Sequence, residues 1–370
     1  CKDVPAIQIV GTNGKGSITT FVESILYADR KNIGVTTSPH LLDISERIRV
    51  NQIKIETDEF QQLLKKIQHT FTEKLSPFEL IICCGLIYFD QRKVDLLILE
   101  AGLGGRLDAT TAHKLRPIIA IGNIGIDHTE YLGDSLEEIA REKAAVIEKG
   151  CVVVSCKQES IVENIITNRA NAVGAHIYWV KPLNDSWILG LRGNFQKDNA
   201  AVALKIVNLL VDQGWFIKKE DIKIGLANTK WSGRLEIINW EDKKILVDSA
   251  HNSSAAEVLA NERENWKHQE QGVYWIIGVQ RQKDIILIIN KLIKPIDKVL
   301  LVPVPNQESW SLNEISKFPD YKFDNFTEFK DFQDALKYLK KLDFWPRCMP
   351  ILTGSIFLVS EFIKYSKIDS

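Results

Sequence analysis

The residues with the clearest chemistry are seven in a row, Gly11-Thr12-Asn13-Gly14-Lys15-Gly16-Ser17. A short apolar stretch, Ala6 to Val10, leads into them. A segment with Phe21, Val22, Ile25 and Leu26 at helical spacing follows. Glycines between a strand and a helix let the backbone curl so that its N–H groups face an anion. The helix N-terminus adds a favourable dipole. Lys15 would place a charge on the outer phosphates, and the Ser17 hydroxyl suits Mg²⁺. Thr12, Asn13, Gly14, Lys15, Gly16 and Ser17 are therefore the candidate ATP contacts. The spelling departs from the common phosphate loop in two places. Ile9 stands where its first glycine would be, and Gly16 separates Lys15 from Ser17.

Other segments could complete such a site. Val94 to Glu100 is an apolar run ending in a carboxylate, and Gly102, Gly104, Gly105, Arg106 and Asp108 come directly after it. A carboxylate at the carboxyl end of a parallel strand points at a bound nucleotide, so Glu100 reads as a Mg²⁺ ligand. Arg106 and Asp108 remain to contact substrate. Phe78 could stack on a flat ring, although alone it reads more readily as a core residue. Arg141-Glu142-Lys143 on a helix is, from the residues alone, a solvated face.

These segments need a scaffold. Short apolar strands (Ala6–Val10, Ile33–Thr37, Val94–Glu100, Ile118–Ile124 and Val152–Ser155) alternate with helical stretches. That pattern predicts a parallel sheet covered on both faces. The rhythm restarts after about Lys230, with strands expected at Lys244–Asp248, Val273–Gly278, Lys298–Val302 and Pro350–Gly354. The expected class is α/β: a P-loop parallel-sheet ATPase domain over residues 1–229, then a smaller Rossmann-like α/β domain over 230–370.

Composition sets the remaining bounds. The 370 residues are 45% hydrophobic and 26% charged, enough for two packed cores. A net charge of −1 gives no electrostatic reason to expect nucleic acid or a membrane surface as partner. Six cysteines without a C-x-x-C pair read as free thiols in a reducing compartment, so a cytoplasmic protein is expected. No apolar run is long enough to span a bilayer. The chain starts at Cys1 and reaches the phosphate loop almost at once, so a missing N-terminal segment is expected.

The loop spelling G-T-N-G-K-G-S resembles that of the Mur-ligase superfamily, especially its folate branch, the folylpolyglutamate synthase / dihydrofolate synthase family. Thr37-Ser-Pro-His-Leu41 with Glu46-Arg-Ile-Arg-Val50 is similar to that family's S-P-H-L…E-R-I-R-V. Ser76-Pro-Phe-Glu79 matches its S-x-F-E, and Glu100 to Thr110 its E-x-G-L-G-G-R-L-D-A-T. Asp127-His128, Leu191 to Ala201, Trp231 to Glu236, Asp248 to Asn252, Gly278 to Asp284 and Thr353-Gly-Ser355 follow in family order. Ser232 and Gln282 depart from the usual residues, as does Leu80-Ile-Ile-Cys-Cys84 after the S-x-F-E.

The resemblance implies several roles. One Mg²⁺ falls to Ser17, Ser38 and Glu100. A second falls to Glu100, His128 and a carbamylated Lys143. Asn199, Arg234, Asp248 and His251 contact ATP, with Arg234 taking part in domain closure. Phe78 lines a pterin pocket, while Lys283 and Asp284 are structural or substrate candidates. The implied reaction activates a folate or dihydropteroate carboxylate as an acyl phosphate and joins it to L-glutamate in a monomeric enzyme. Lys15, Lys143, His128 and Glu100 would be its catalytic residues. Two rivals are another ligase of the superfamily, opposed by S-P-H-L and L-G-G-R-L-D-A-T, and a P-loop nucleotide switch, opposed by the second α/β domain.

Overall fold

A computed structural model describes residues 1–70, 74–318 and 324–368. The chain divides into two compact units, Cys1–Trp231 and Ser232–Ser370. In the first, the strands are β1 (Ala6–Val10), β2 (Ile33–Thr36), β3 (Ile48–Val50), β4 (Ile53–Lys54), β5 (Leu96–Glu100), β6 (Ile118–Ile121), β7 (Val152–Cys156) and β8 (His176–Val180). Its helices are α1 (Lys15–Ala28), α2 (Thr57–Thr70), α3 (Pro77–Gln91), α4 (Thr129–Leu132), α5 (Leu136–Ala144), α6 (Ser160–Val173), α7 (Gln196–Asp212) and α8 (Lys219–Asn228).

Among the described residues the strands form one sheet in the order β4-β3-β2-β5-β1-β6-β7-β8. It is parallel from β2 across to β8. The expected parallel sheet is thus present, with an antiparallel edge formed by β3 and β4. Alternation explains why the central strands read as unbroken apolar runs. Ile7, Ile9, Ile98 and Ile118 join the core under α1, α7 and α8. Leu97 and Leu99 join a second core under α2 and α3. Ile119, Ile121 and Val153 join a third, which also holds Ile139 and Ala140 of α5 and Ile166 of α6. Both faces are covered, so neither can be polar.

The second unit holds β9 (Glu236–Trp240), β10 (Lys243–Val247), β11 (Tyr274–Ile277), β12 (Lys298–Leu301), β13 (Phe326–Glu328) and β14 (Ile351–Thr353). Their order is β13-β12-β11-β14-β10-β9, with β9 alone antiparallel among the described strands. Its helices are α9 (Ser253–Arg263), α10 (Ile285–Leu292), α11 (Leu312–Ile315), α12 (Phe332–Lys340) and α13 (Ile356–Ile368). This is the expected Rossmann-like architecture with one antiparallel edge. All six cysteines are free thiols. Among the described residues no helix is long and apolar enough to cross a membrane.

Candidate active site

Four neighbouring strands, β2, β5, β1 and β6, release their loops at the same carboxyl edge of the first sheet. Ile9 of β1 is in register with Glu100 of β5, and Val10 with Ile121 of β6. Ligand sites of open α/β sheets form at this edge.

The phosphate loop leaves β1 at Gly11 and is strapped to the loop after β6. Thr12 and Asn13 N–H groups both donate to Asn123 O, at 2.8 and 3.0 Å. The Thr12 hydroxyl donates to Gly125 O at 2.9 Å. Gly14 has φ 82°, and a Cβ there would lie 2.5 Å from Asn199 Oδ1, so both backbone and space require glycine. Asn199 itself, on the first turn of α7, therefore packs against the loop. Among the described residues no side chain caps the N-terminus of α1, which begins at Lys15. The first-turn N–H groups of a helix have no intrahelical partners and carry the positive end of its dipole. Lys15 Nζ curls back to donate to Gly11 O (2.9 Å) and Thr12 O (3.2 Å).

Ser38 lies just beyond β2, at a cis Ser38–Pro39 peptide bond. Its loop is organised by Glu46, whose carboxylate accepts from the N–H groups of Leu41, Leu42 and Asp43. Arg49, on β3, donates to Thr37 Oγ1 (3.0 Å) and Glu46 O (2.8 Å), and pairs with Glu23 of α1. Glu100 is buried, and the charges of Arg47 and Arg49 act on it.

The glycine-rich loop after Glu100 is built around Asp108. Its Oδ2 accepts from Gly102 and Leu103 N–H groups, and its Oδ1 from Thr110 N–H and Thr110 Oγ1. With four donors on a buried carboxylate, Asp108 shapes the loop. Arg106 is exposed and pairs with Glu142 at 3.1 Å. Phe78, at the start of α3, lays its ring over Gly102, where a Cβ would be 2.8 Å from it. Gln8 is a contributor the sequence reading passed over. It is buried in the middle of β1 and donates to Thr110 and Thr111 hydroxyls at 2.9 and 2.8 Å, while Arg116 donates to it. The signal was a lone amide inside an apolar strand.

His128 sits at φ 52°, at the N-cap of α4, with its Nε2 3.8 Å from Asp127 Oδ2. Lys143 departs most from the residue-based expectation. It is buried on α5, not on a solvated face, and its Nζ donates to Gly11 O at 3.0 Å. Two lysines thus converge on one loop carbonyl. Burial above all, and the charge of Lys15 next, lower the Lys143 pKa from 10.5 to about 7, against the opposing pull of Asp127, Asp108 and Glu142.

A divalent cation would find a sparse donor set in the side chains alone. Among the described residues no three His, Cys, Asp or Glu side chains cluster as a metal site. The expected ligands include only two of those types, Glu100 and His128, beside the Ser17 and Ser38 hydroxyls and Lys143. Carboxylate and hydroxyl oxygens suit a hard cation. A protonated lysine offers no lone pair, so Lys143 fits only after modification, for which its lowered pKa is suited.

In the second unit, Asp248 follows β10. It is buried, and burial raises its pKa while Arg234 opposes the shift. Its Oδ2 accepts from Leu235 N–H (3.0 Å) and its Oδ1 from Ala250 N–H (2.9 Å). Leu235 has φ 43°, an unfavourable conformation for a leucine. Asp248 therefore fixes the turn that carries Arg234. The His251 ring donates through Nδ1 to Ser249 O at 2.8 Å. Asp284 is the N-cap of α10, accepting from Leu287 N–H.

Comparison with known proteins finds relatives of both units. Residues 9–178 match the Mur ligase middle domain, and residues 234–365 match the dihydrofolate synthetase C-terminal domain. The chain is 30% identical over 368 residues to a dihydrofolate synthase/folylpolyglutamate synthase of Buchnera aphidicola, covering 96% of this chain and 86% of that one. The chain belongs to the folylpolyglutamate synthase / dihydrofolate synthase family. Dihydrofolate synthetase of Saccharomyces cerevisiae, another relative, is 29% identical over 395 residues, with 97% and 92% of the two chains covered. A bifunctional folylpolyglutamate synthase/dihydrofolate synthase from Yersinia pestis, solved with AMPPNP and a Mn ion, superposes with a TM-score of 0.86. It is 26% identical, with 99% and 89% covered.

Proposed function

We propose that this protein is an ATP-dependent ligase that adds L-glutamate to dihydropteroate or a reduced folate through an acyl phosphate. The observation that carries the reading is the open N-terminus of α1 with Lys15 beside it, facing the same sheet edge as Glu100 and Lys143. An amide cannot form from a carboxylate at neutral pH until one oxygen becomes a leaving group. ATP supplies this by giving its γ-phosphoryl to the substrate carboxylate, releasing ADP. The glutamate amine then attacks the acyl carbon through a tetrahedral intermediate, and phosphate leaves with the former carboxylate oxygen.

The first-turn N–H groups of α1 bind the polyphosphate, and Lys15 offsets the repulsion between the incoming carboxylate and the phosphates. Glu100, Ser17, Ser38 and His128 would hold divalent cations, which supply charge neutralisation on the transferred phosphoryl group. Lys143 completes the donor set as a carbamate. Its neutral amine adds to CO₂ with loss of one proton, leaving an anion with two oxygens. Arg234 and His251 are assigned to the nucleotide, with Asp248 setting the Arg234 turn. Phe78 and Arg106 are assigned to the pterin-bearing substrate. A monomer acting on small molecules in the cytoplasm, with no nucleic-acid or membrane partner, belongs to the same reading, supported by the balanced charge and free thiols.

The test is ADP release with dihydropteroate or tetrahydrofolate, each with and without glutamate. Turnover should need both an acceptor and glutamate. ADP release indifferent to both would support a nucleotide switch instead.

A further inference from the structure

The second anomaly of the phosphate loop, Gly16 between Lys15 and Ser17, has a structural cause. Gly16 lies within α1 and has no left-handed φ. Its backbone would accept any residue, so glycine there answers a need for space. A Cβ on Gly16 would lie 2.8, 3.0 and 3.1 Å from Nε1, Cε2 and Cζ2 of Trp231. These are successive atoms along the indole, so the ring lies flush against the helix backbone at the turn that would bind phosphate. Trp231 is the last residue of the first unit and is half-buried against the core beneath α1.

The indole is held elsewhere too. The Arg49 guanidinium lies 5.5 Å from the ring centroid, within cation–π range. Arg49 in turn grips Glu23, two turns further along α1, and the Thr37 hydroxyl next to Ser38. The same chain segment holds the other half of α1. A Cβ on Gly225 of α8 would lie 2.3 Å from Ile25 Cα, and Ser24 Oγ donates to Gly225 O at 2.9 Å. Residues 225–231 therefore touch α1 near both ends. Through Arg49 they also touch the loop that carries Ser38.

We propose that Trp231 is a positioning residue for phosphoryl transfer: packed on Gly16 and braced by Arg49, it fixes the rotation of α1 so that Lys15 and Ser17 face the nucleotide in register with Ser38. The packing follows from the first unit alone, whereas its consequence for turnover rests on the ATP-ligase reading. An interlock of this kind makes the two residues dependent on each other. A methyl on Gly16 points at the indole, so it displaces the loop only while the indole is there.

The experiment is a double-mutant cycle of Gly16→Ala and Trp231→Ala, read in nucleotide affinity by calorimetry and in KM for ATP, KM for the folate acceptor, and kcat. Calorimetry needs no ligase turnover, so failure of the brace is distinguishable from failure of the ligase reading. Gly16→Ala should weaken nucleotide binding and lower kcat/KM for ATP on the order of tenfold to a hundredfold, the cost of a misplacement approaching 1 Å. Trp231→Ala should raise KM for ATP about tenfold and leave KM for the acceptor within about twofold, with Trp231→Phe retaining most activity because a ring still meets Arg49. The double variant should bind nucleotide better than Gly16→Ala alone. If Trp231→Ala unfolds the chain, Gly16→Ala in the Trp231→Leu background, which keeps an apolar side chain but no ring, gives the same comparison. Equal damage from Gly16→Ala in both backgrounds would overturn the proposal, as would a Trp231→Ala protein with lowered Tm and unchanged nucleotide affinity and ATP kinetics.

Discussion

Replacing Lys143 by methionine should stabilise the protein while abolishing its activity. Lys143 is buried, and its pKa falls from 10.5 to about 7. A tenfold change in proton affinity is worth about 1.4 kcal/mol, so the buried ammonium costs at most about 5 kcal/mol. Relaxation and water entry reduce this in practice, and a net gain of about 2–4 kcal/mol is expected for Lys143→Met. The lost hydrogen bond to Gly11 O adds little, because Lys15 donates to the same carbonyl. The pH dependence is a sharper signature. Below pH 7 the lysine is protonated both folded and unfolded, and the wild type bears the whole penalty. Between about 7 and 10.5 the unfolded chain holds a proton that the folded chain has released, so wild-type stability rises with pH. The advantage of Lys143→Met should therefore be largest below pH 7 and vanish towards pH 10.5. The assay is urea unfolding of apo wild type and variant in CO₂-depleted buffer, followed by a probe in the first unit. A variant less stable than wild type at pH 6, or an advantage that does not shrink with pH, would refute the burial argument.

Other perturbations follow from the same geometry. Lys15→Ala should lower kcat by roughly 10²-fold or more with the fold intact by circular dichroism, the cost of losing a preorganised charge. Asp108→Ala removes the acceptor for two loop N–H groups and one N–H/hydroxyl pair, so it should destabilise by about 2–4 kcal/mol in thermal unfolding. Arg234→Ala should raise KM for ATP and lower kcat while acceptor binding, measured by titration, is unchanged. Lys143→Arg should be inactive, since guanidinium forms no comparable carbamate. Wild-type activity in limiting bicarbonate should fall as pH drops below about 7, because less of the amine is neutral.

Much of the scaffold was legible because burial on both sheet faces leaves a plain mark. The strands at Ala6–Val10 and Val152–Cys156 are unbroken or nearly unbroken apolar runs, and the structure ends each within a residue of the expected bounds. The edges were less legible. His176–Val180 is half exposed and mixes polar with aromatic residues, and the β3–β4 hairpin contributes only short strands. Helix α3 read as an apolar run because much of it is buried and its periodicity is blurred. Helix α1 starts at Lys15, well before Phe21 opens the apolar spacing, because Gly16 reads as loop until Trp231 is known to pack on it. The site shows the same division. Glycine spacing marks the phosphate loop, but the Glu23–Arg49 pair and the Gln8 network join residues distant in sequence. The burial of Lys143 depends on how α5 packs behind Gly11, which its Arg-Glu-Lys context does not reveal.

The acyl phosphate is the central intermediate of the proposed reaction, and an isotope transfer tests it most directly. Dihydropteroate or tetrahydrofolate carrying a heavy oxygen isotope in the reacting carboxylate is turned over with ATP and glutamate. The released phosphate and nucleotide are then analysed by mass spectrometry. Attack of that carboxylate on the γ-phosphoryl group predicts one labelled oxygen in inorganic phosphate for each amide formed, and none in ADP. Label appearing in AMP, or amide formation with unlabelled phosphate, would contradict it.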